Sequence, residues 1–442
     1  MKNYVLAVLL IAGAFSVSAQ IPREAYDLTN SMEDLWRTSP KEKAVDASLK
    51  LNKLYQPFYL DNLHNSLAQL LVLERSKGYP QDYLQAMWDL QDPSIRSIIE
   101  PIYVWNKSFD VKTMKEAENV LQSFYILLKD STDRKAKIEL YGLLVLKTLE
   151  DKKLLPAEMP AKLLEKIISN LQKYPDLEKP TNNQVVPRAW HRYLLAYSMY
   201  LKFRTQGESF ECLKAAAHYS PDLTDMQRRD AYNYDAYLLE GSNKNVGYQP
   251  QFIQYLNNNN RFSEELDVLL ENTFGVPTNS NMQRLKDFLA HHVDLGIFQD
   301  LWTKYVDARM VPAPALQITY QTDVFDFTKP RTNWTFIDVW GTWCSPCCKE
   351  LPHLNEIAAK YNSLPESKIR IRTFSYMSTN LKDFMAKNNY FFPVAEIGPE
   401  VTAPFGINSY PTKLLVSPDN KYLIIPFNVN WEEYMRNYTL LQ

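Results

Sequence analysis

Apolar side chains recur at helical spacing through most of the first three hundred residues. In Ala161 to Tyr174 they fall at 163, 164, 167, 168 and 171, the positions of one helix face. Ala189 to Phe203 is apolar almost all round, which predicts an interior helix. The same pattern predicts helices over 43–76, 81–90, 112–129, 133–150, 223–238, 261–273 and 281–308. Turn chemistry separates them: Tyr79-Pro80, Asp92-Pro93, Asn182-Asn183, Ser220-Pro221 and the run Asn257 to Asn260. Short connections make successive helices antiparallel neighbours, so residues 20–310 are expected to form an all-α domain of helical hairpins. No clean repeat period chooses between a bundle and an irregular solenoid.

Beyond Met310 the texture changes. Val311-Pro312-Ala313-Pro314-Ala315 reads as a stiff linker, because each proline fixes its own φ and restricts the residue before it. Strand signals over 317–327, 335–340, 368–376, 412–416 and 422–427 alternate with helices over 344–361, near 380–388 and from about 430. This alternation predicts an α/β domain over 311–442, with a sheet covered by helices. The chain is therefore read as multidomain, all-α followed by α/β, as its length of 442 residues also implies.

The N-terminus bears on the compartment. Tyr4 to Phe15 is an apolar run of twelve residues, and Ser16-Val17-Ser18-Ala19 supplies the small residues of a signal-peptidase site. Cleavage is expected after Ala19, leaving a soluble, exported or periplasmic protein with no transmembrane segment. The charge balance, 49 basic against 51 acidic residues, gives no broad basic surface and argues against a nucleic-acid partner. Four cysteines are too few to staple so long a chain, and three of them cluster in Trp340-Gly341-Thr342-Trp343-Cys344-Ser345-Pro346-Cys347-Cys348. Clustering points to chemistry.

Val339 to Cys347 follows a strand and opens a helix. Pro352 stands eight residues past Cys344, and Gly406-Ile407-Asn408-Ser409-Tyr410-Pro411-Thr412 follows downstream. In this order the segments resemble the thioredoxin-fold oxidoreductases, with their W-C-x-P-C, kinking proline and cis-proline loop. With the leader and Glu350-Leu351-Pro352, the likeness is closest to the exported TlpA/ResA-like branch. It covers roughly the last 130 residues and none of the helical region.

Thiol-disulfide exchange requires an accessible cysteine with a stabilised thiolate. Cys344 stands at a helix N-terminus, where unpaired N–H groups and the positive dipole end favour a thiolate. Cys347, three residues on, is within disulfide range and suited to resolve a mixed disulfide. Pro346 is tolerated in the first turn because its missing N–H would have had no partner. The resemblance implies that Asp338 is a buried acid exchanging protons with Cys347, as in thioredoxins themselves. It also implies that Glu350 is a second acid, although a solvated helix face would serve that residue equally. It further implies that Tyr410-Pro411 is a cis bond that lets an extended substrate strand pair beside the disulfide, with Tyr410 and Trp343 shaping the approach.

Cys348 departs from the family, which carries Lys or Arg after the second cysteine; here the charge moves to Lys349. Pro352 clashes with the carbonyl of Cys348, so the helix is expected to open there. Cys348 is either a bystander thiol or an auxiliary redox group, and Cys212 reads as a small buried core thiol. The adjacent pair His291-His292 points to different helix faces, and neither a metal site nor a P-loop or dinucleotide fingerprint is found, so no metal or cofactor is expected. The sequence is read as an exported thiol:disulfide oxidoreductase acting on protein thiols and disulfides, as reductase or isomerase rather than oxidase, supplied by an upstream electron-donor protein. The alternative is a helical binding or scaffold protein whose C-terminal domain mainly contributes surface.

Overall fold

A computed structural model of the chain describes residues 23–24, 27–28, 34–35, 37, 41–54, 67–130, 137–177, 180–207, 209–226, 228–242, 246–427 and 429–441. The expected leader and its cleavage site lie outside the described residues. No helix among the described residues is long and apolar enough to cross a membrane. The chain divides into two compact units. One is Met1–Pro221 with Arg228–Tyr248; the other is Asp222–Gln227 with Gln249–Gln442.

Among its described residues the first unit is built of helices joined by turns and loops, with no strand. Pro93–Ser108, Met114–Asp130, Ile138–Asp151, Met159–Leu171, Asn182–Thr205 and Phe210–Tyr219 follow one another. From Pro93–Ser108 to Ile138–Asp151, each helix packs on its successor and on the next but one, a contact pattern of stacked hairpins. Gly142 permits one of these close approaches, since a Cβ there would lie 2.9 Å from Ile167 Cδ1. Tyr141, Trp105, Tyr193 and Tyr232 fill the core.

Several elements differ from the sequence reading. Pro93–Ser108 was not expected as a helix, because Pro101 interrupts its pattern; the helix carries that proline internally. Of the helix expected over 43–76, the described residues form Lys41–Leu54 and a helix over 67–73, and residues 55–66 lie outside the described residues. The one expected over 281–308 divides into Asn279–His291 and Phe298–Arg309, because Gly296 adopts φ 122° between them.

The second unit holds a six-stranded sheet of β1 (Val311–Pro312), β4 (Trp334–Trp340), β5 (Ile369–Tyr376), β6 (Val394–Ile397), β7 (Thr412–Val416) and β8 (Lys421–Ile425), in the order β1-β8-β7-β4-β5-β6. A separate hairpin pairs β2 (Gln317–Thr319) with β3 (Val324–Asp326), where one strand over 317–327 was expected. β4, β5 and β6 run parallel, joined by the helices Ser345–Ser363 and Leu381–Asn388, and β7 and β8 return antiparallel. Alternation along β4 decides the faces. Phe336 and Trp340 join the cluster that holds Leu351 and Leu354 of the Ser345–Ser363 helix, while Ile337 and Val339 point to the other face.

The boundary also differs. Val311–Pro312 is no linker: it is an edge strand paired with β8, where Pro312 needs no ladder N–H. The helices Gln249–Asn258, Phe262–Gly275, Asn279–His291 and Phe298–Arg309 belong to the sheet's own unit. Asn279–His291 and Phe298–Arg309 pack on the closing helix Trp431–Thr439, whose Trp431 ring stacks on Phe336 at 4.8 Å. The fully buried Trp302 donates its indole N–H to Asn437 O at 2.9 Å, and Tyr438 donates its hydroxyl to Phe274 O at 2.7 Å.

Candidate functional site

The parallel strands β4 and β5 end on the same side of the sheet, and the crevice there receives the loop 341–344. Thr342 N–H donates to Ser378 Oγ at 2.9 Å, which ties this loop to the segment after β5. Gly341 is required by a close approach: a Cβ would lie 2.6 Å from Trp343 Nε1. The Trp343 indole folds back over that glycine and donates to Tyr376 O at 3.1 Å, although the residue remains 56% exposed.

Cys344 is the N-cap of the Ser345–Ser363 helix. Its Sγ accepts the backbone N–H of Cys347 at 3.3 Å, and a disulfide joins the two residues. Both are buried, Cys347 the more deeply. Ser345 and Pro346 occupy the exposed first turn. The helix continues through Pro352 without interruption, contrary to the expected opening at Cys348, so the proline removes one hydrogen bond without ending the helix.

Tyr410-Pro411 is a cis peptide bond leading into β7. The Tyr410 ring stacks on Tyr376 at 4.9 Å and meets the Trp343 ring edge-on at 5.3 Å. Three aromatic rings thus stand beside the cysteine loop.

Beneath the loop lies a charged cluster in an otherwise apolar core. Asp338 sits on the β4 face shared by Phe336 and Trp340, and its register partner on β7 is Lys413. Their side chains are 2% and 9% exposed, with Lys413 Nζ 3.4 Å from Asp338 Oδ1. Lys413 donates its hydrogen bond to Glu350 Oε2 at 2.6 Å; Glu350, one helical turn past Cys347, is 41% exposed. Burial pushes the Asp338 carboxyl above the usual carboxylate range, against the opposing pull of Lys413. Burial by itself would lower the Lys413 ammonium, but the two carboxylates reverse this and hold it above the ordinary lysine value. Glu350 is therefore neither a purely solvated group nor a buried one.

Lys413 was missed by sequence reasoning. Its one signal is a lone lysine inside the apolar strand Thr412-Lys413-Leu414-Leu415-Val416, which reads as outward-facing until the cross-strand partner is known. Cys348 is a free, half-buried thiol with Sγ 3.7 Å from Thr342 O and 3.9 Å from Gly341 O, and burial raises its pKa. Cys212 lies in Phe210–Tyr219 beside the buried Leu213, but is itself only half-buried, so the expected core thiol is corrected to one at the core's margin.

No family model matches the chain. It is 35% identical over 91 residues to the thiol-disulfide oxidoreductase ResA of Bacillus thuringiensis subsp. konkukian, a stretch covering 20% of this chain and 51% of that protein. To ResA of Bacillus subtilis it is 26% identical over 106 residues, 23% of this chain and 58% of the relative. Among solved structures, a thioredoxin-family thiol:disulfide interchange protein from Chlorobium tepidum aligns at 19% identity and a TM-score of 0.27, covering 30% of this chain and 97% of that one. StoA from Bacillus subtilis aligns at 20% identity and a TM-score of 0.24, covering 28% and 99%. The chain thus spans about half the length of the curated relatives it matches, and what it resembles over that stretch is ResA, a thiol-disulfide oxidoreductase.

Proposed function

We propose that the protein is an exported thiol:disulfide oxidoreductase whose Cys344–Cys347 pair exchanges disulfides with other proteins. The observation that carries this reading is the disulfide at a helix N-terminus, with Cys344 Sγ in the N-cap and accepting the Cys347 amide. That amide and the helix dipole stabilise the negative sulfur that appears when the disulfide is reduced. Cys344 attacks a partner disulfide, and Cys347 resolves the mixed disulfide that results. The cis bond before Pro411 and the rings of Tyr410 and Trp343 form the ledge on which an extended partner segment lies.

A buried carboxyl beneath the pair supports reductase or isomerase work, because the resolving thiol must lose a proton. Similarity to ResA supports protein thiols and disulfides as the substrate class. The apolar run Tyr4 to Phe15 before Ala19 supports export, and in an oxidising compartment the pair needs an upstream electron-donor protein to be reduced again.

The test compares wild type with Cys344→Ser in reducing a protein disulfide such as those of insulin. Wild type is expected to accelerate reduction and the variant to lose the effect. Equal rates would sink the reading. A Cys347→Ala variant is expected to accumulate partners as mixed disulfides that dithiothreitol releases.

A further inference from the structure

Hydrogen bonds hold the loop 341–344 in two ways. Some are local: Cys344 N–H donates to Gly341 O at 3.0 Å, and Cys348 N–H donates to Cys344 O at 3.0 Å. These shape the turn and start the helix. Others reach across to the end of β5, where Tyr376 O accepts the Trp343 indole at 3.1 Å and Ser378 Oγ accepts the Thr342 N–H at 2.9 Å.

Ser378 is held in place from below. Ser375, fully buried and in register with Trp340 at the end of β4, donates its hydroxyl to Ser378 Oγ at 2.7 Å. Between the two serines Met377 adopts φ 44°, a left-handed conformation that costs a bulky residue free energy and gathers at functional sites. Its amide donates to Ile397 O at 3.1 Å, which fixes the turn. The chain therefore leaves β5 sharply and brings a hydroxyl back to the cysteine loop. One oxygen joins the Thr342 amide to the Ser375 hydroxyl, and so ties the loop to the sheet.

This tie carries most weight when the disulfide is open. In the oxidised protein the Cys344–Cys347 bond itself holds Cys344 against the helix. In the mixed disulfide that bond is gone, and Cys347 must find Cys344 Sγ within bonding reach. Ring closure of this kind is fast only where the geometry is held in advance. Attack by Cys344 on a disulfide in solution meets no such demand and follows thiolate fraction and access.

We propose that Ser378 is a positioning residue for the resolving step, keeping Cys344 opposite Cys347 while the mixed disulfide is open. The inference rests on the thiol-exchange reading above. In that step Cys347 passes its proton to the carboxyl beneath the pair and attacks Cys344 Sγ as a thiolate. The Cys344–Cys347 bond forms, and the bond from Cys344 to the partner sulfur breaks. The partner sulfur leaves with the electron pair and takes up a proton from water, so the partner disulfide is reduced as the dithiol is oxidised.

The experiment is a stopped-flow single turnover, with the reduced full-length protein in excess over dithiobis(nitrobenzoate) at mildly acid pH, where the helix-capping thiol reacts first. Each reagent molecule releases one coloured thiolate when Cys344 attacks and a second when Cys347 resolves. Ser378→Ala is expected to leave the first phase within about twofold of wild type and to slow the second roughly fivefold, the effect of one lost hydrogen bond. Ser378→Thr keeps the hydroxyl and should restore the second phase. A merely structural role would slow both phases together or neither; either result overturns the proposal, as does a threonine variant as slow as the alanine one. Should circular dichroism show that Ser378→Ala does not fold, Ser375→Ala decides, and phases that do not separate overturn the inference. If wild type shows no second phase, the thiol-exchange reading fails separately, and hydrogen exchange of the Thr342 amide in the reduced protein still tests the tie. Faster exchange in Ser378→Ala than in wild type is expected there, and equal rates overturn it.

Discussion

The backbone amide of Cys347 donates to Cys344 Sγ across 3.3 Å, so the sulfur of one cysteine caps the helix that carries the other. The relation is asymmetric: Cys347 lies inside the first turn, where the open helix end no longer reaches it. In the reduced protein, a limiting amount of alkylating reagent at mildly acid pH is expected to modify Cys344 before Cys347. Peptide mapping by mass spectrometry reads the order, and prior labelling of Cys347 would contradict the assignment of nucleophile and resolver.

Cys348 follows at once in sequence but sits in a different environment. Burial raises its pKa, and its sulfur lies near the carbonyls of Gly341 and Thr342, whose negative ends disfavour a thiolate. At pH 7 it therefore has a smaller thiolate fraction than an ordinary cysteine, and its labelling rate should climb only at alkaline pH. Cys348→Ser is expected to leave disulfide exchange unchanged. A clear loss of rate would assign it an auxiliary role.

Asp338 has opposite effects on stability and on the proposed chemistry. Burial raises its pKa in the folded protein above the unfolded value of about 3.9. The folded chain then binds this proton more tightly than the unfolded chain, and stability falls as pH rises from the unfolded value through the raised folded one. Asparagine has the same shape and cannot ionise. Asp338→Asn is expected to resist urea better than wild type above neutrality, with the gain fading as pH falls towards about 4, while single-turnover disulfide reduction slows. A variant less stable than wild type above neutrality would mean that Lys413 compensates the carboxylate completely.

Much of this arrangement was legible in the sequence for identifiable reasons. Helices with a regular apolar face, such as Met159–Leu171, announce themselves, and Cys344 is placed at a helix start by the Ser-Pro that follows it. What the sequence hid depends on packing between distant segments. Helical texture is the same on either side of Tyr248, so nothing local assigns Phe298–Arg309 to the sheet's unit; the contact of Trp302 with Asn437 does. Two prolines at 312 and 314 read as a linker because a two-residue edge strand has no alternation to display. Lys413 was hidden because its role depends on a cross-strand register, and a lone charge in a strand does not reveal which face it takes.

Gly341 controls where Trp343 stands. An alanine Cβ would lie 2.6 Å from the indole Nε1 and 2.7 Å from Cε2, too close for either to remain. Gly341→Ala should swing the indole away, break its hydrogen bond to Tyr376 O and disturb its edge contact with Tyr410. The expected cost is about 1–3 kcal/mol of stability, with slower reduction of protein disulfides than of small disulfides that need no ledge. Urea melts and paired substrate assays measure the two effects. An equal loss on both substrates would argue that the ring supports the loop and takes no part in partner docking.

Trp302 tests the boundary of the C-terminal unit. Its ring is fully buried, stacks with Tyr438 at 6.4 Å and donates to Asn437 O, so it joins the Phe298–Arg309 helix to the closing helix. Trp302→Ala in the full chain is expected to cost about 3–5 kcal/mol, through lost apolar burial, the cavity left behind and an unsatisfied carbonyl. A fragment of residues 249–442 should unfold cooperatively, whereas one of residues 311–442 exposes the face of Trp431–Thr439 that Asn279–His291 and Phe298–Arg309 cover, and should melt earlier or aggregate. Calorimetry of the two fragments decides between the boundaries. Equal melting temperatures would return the boundary to residue 310 and make the four helices an appendage to a domain that is stable without them.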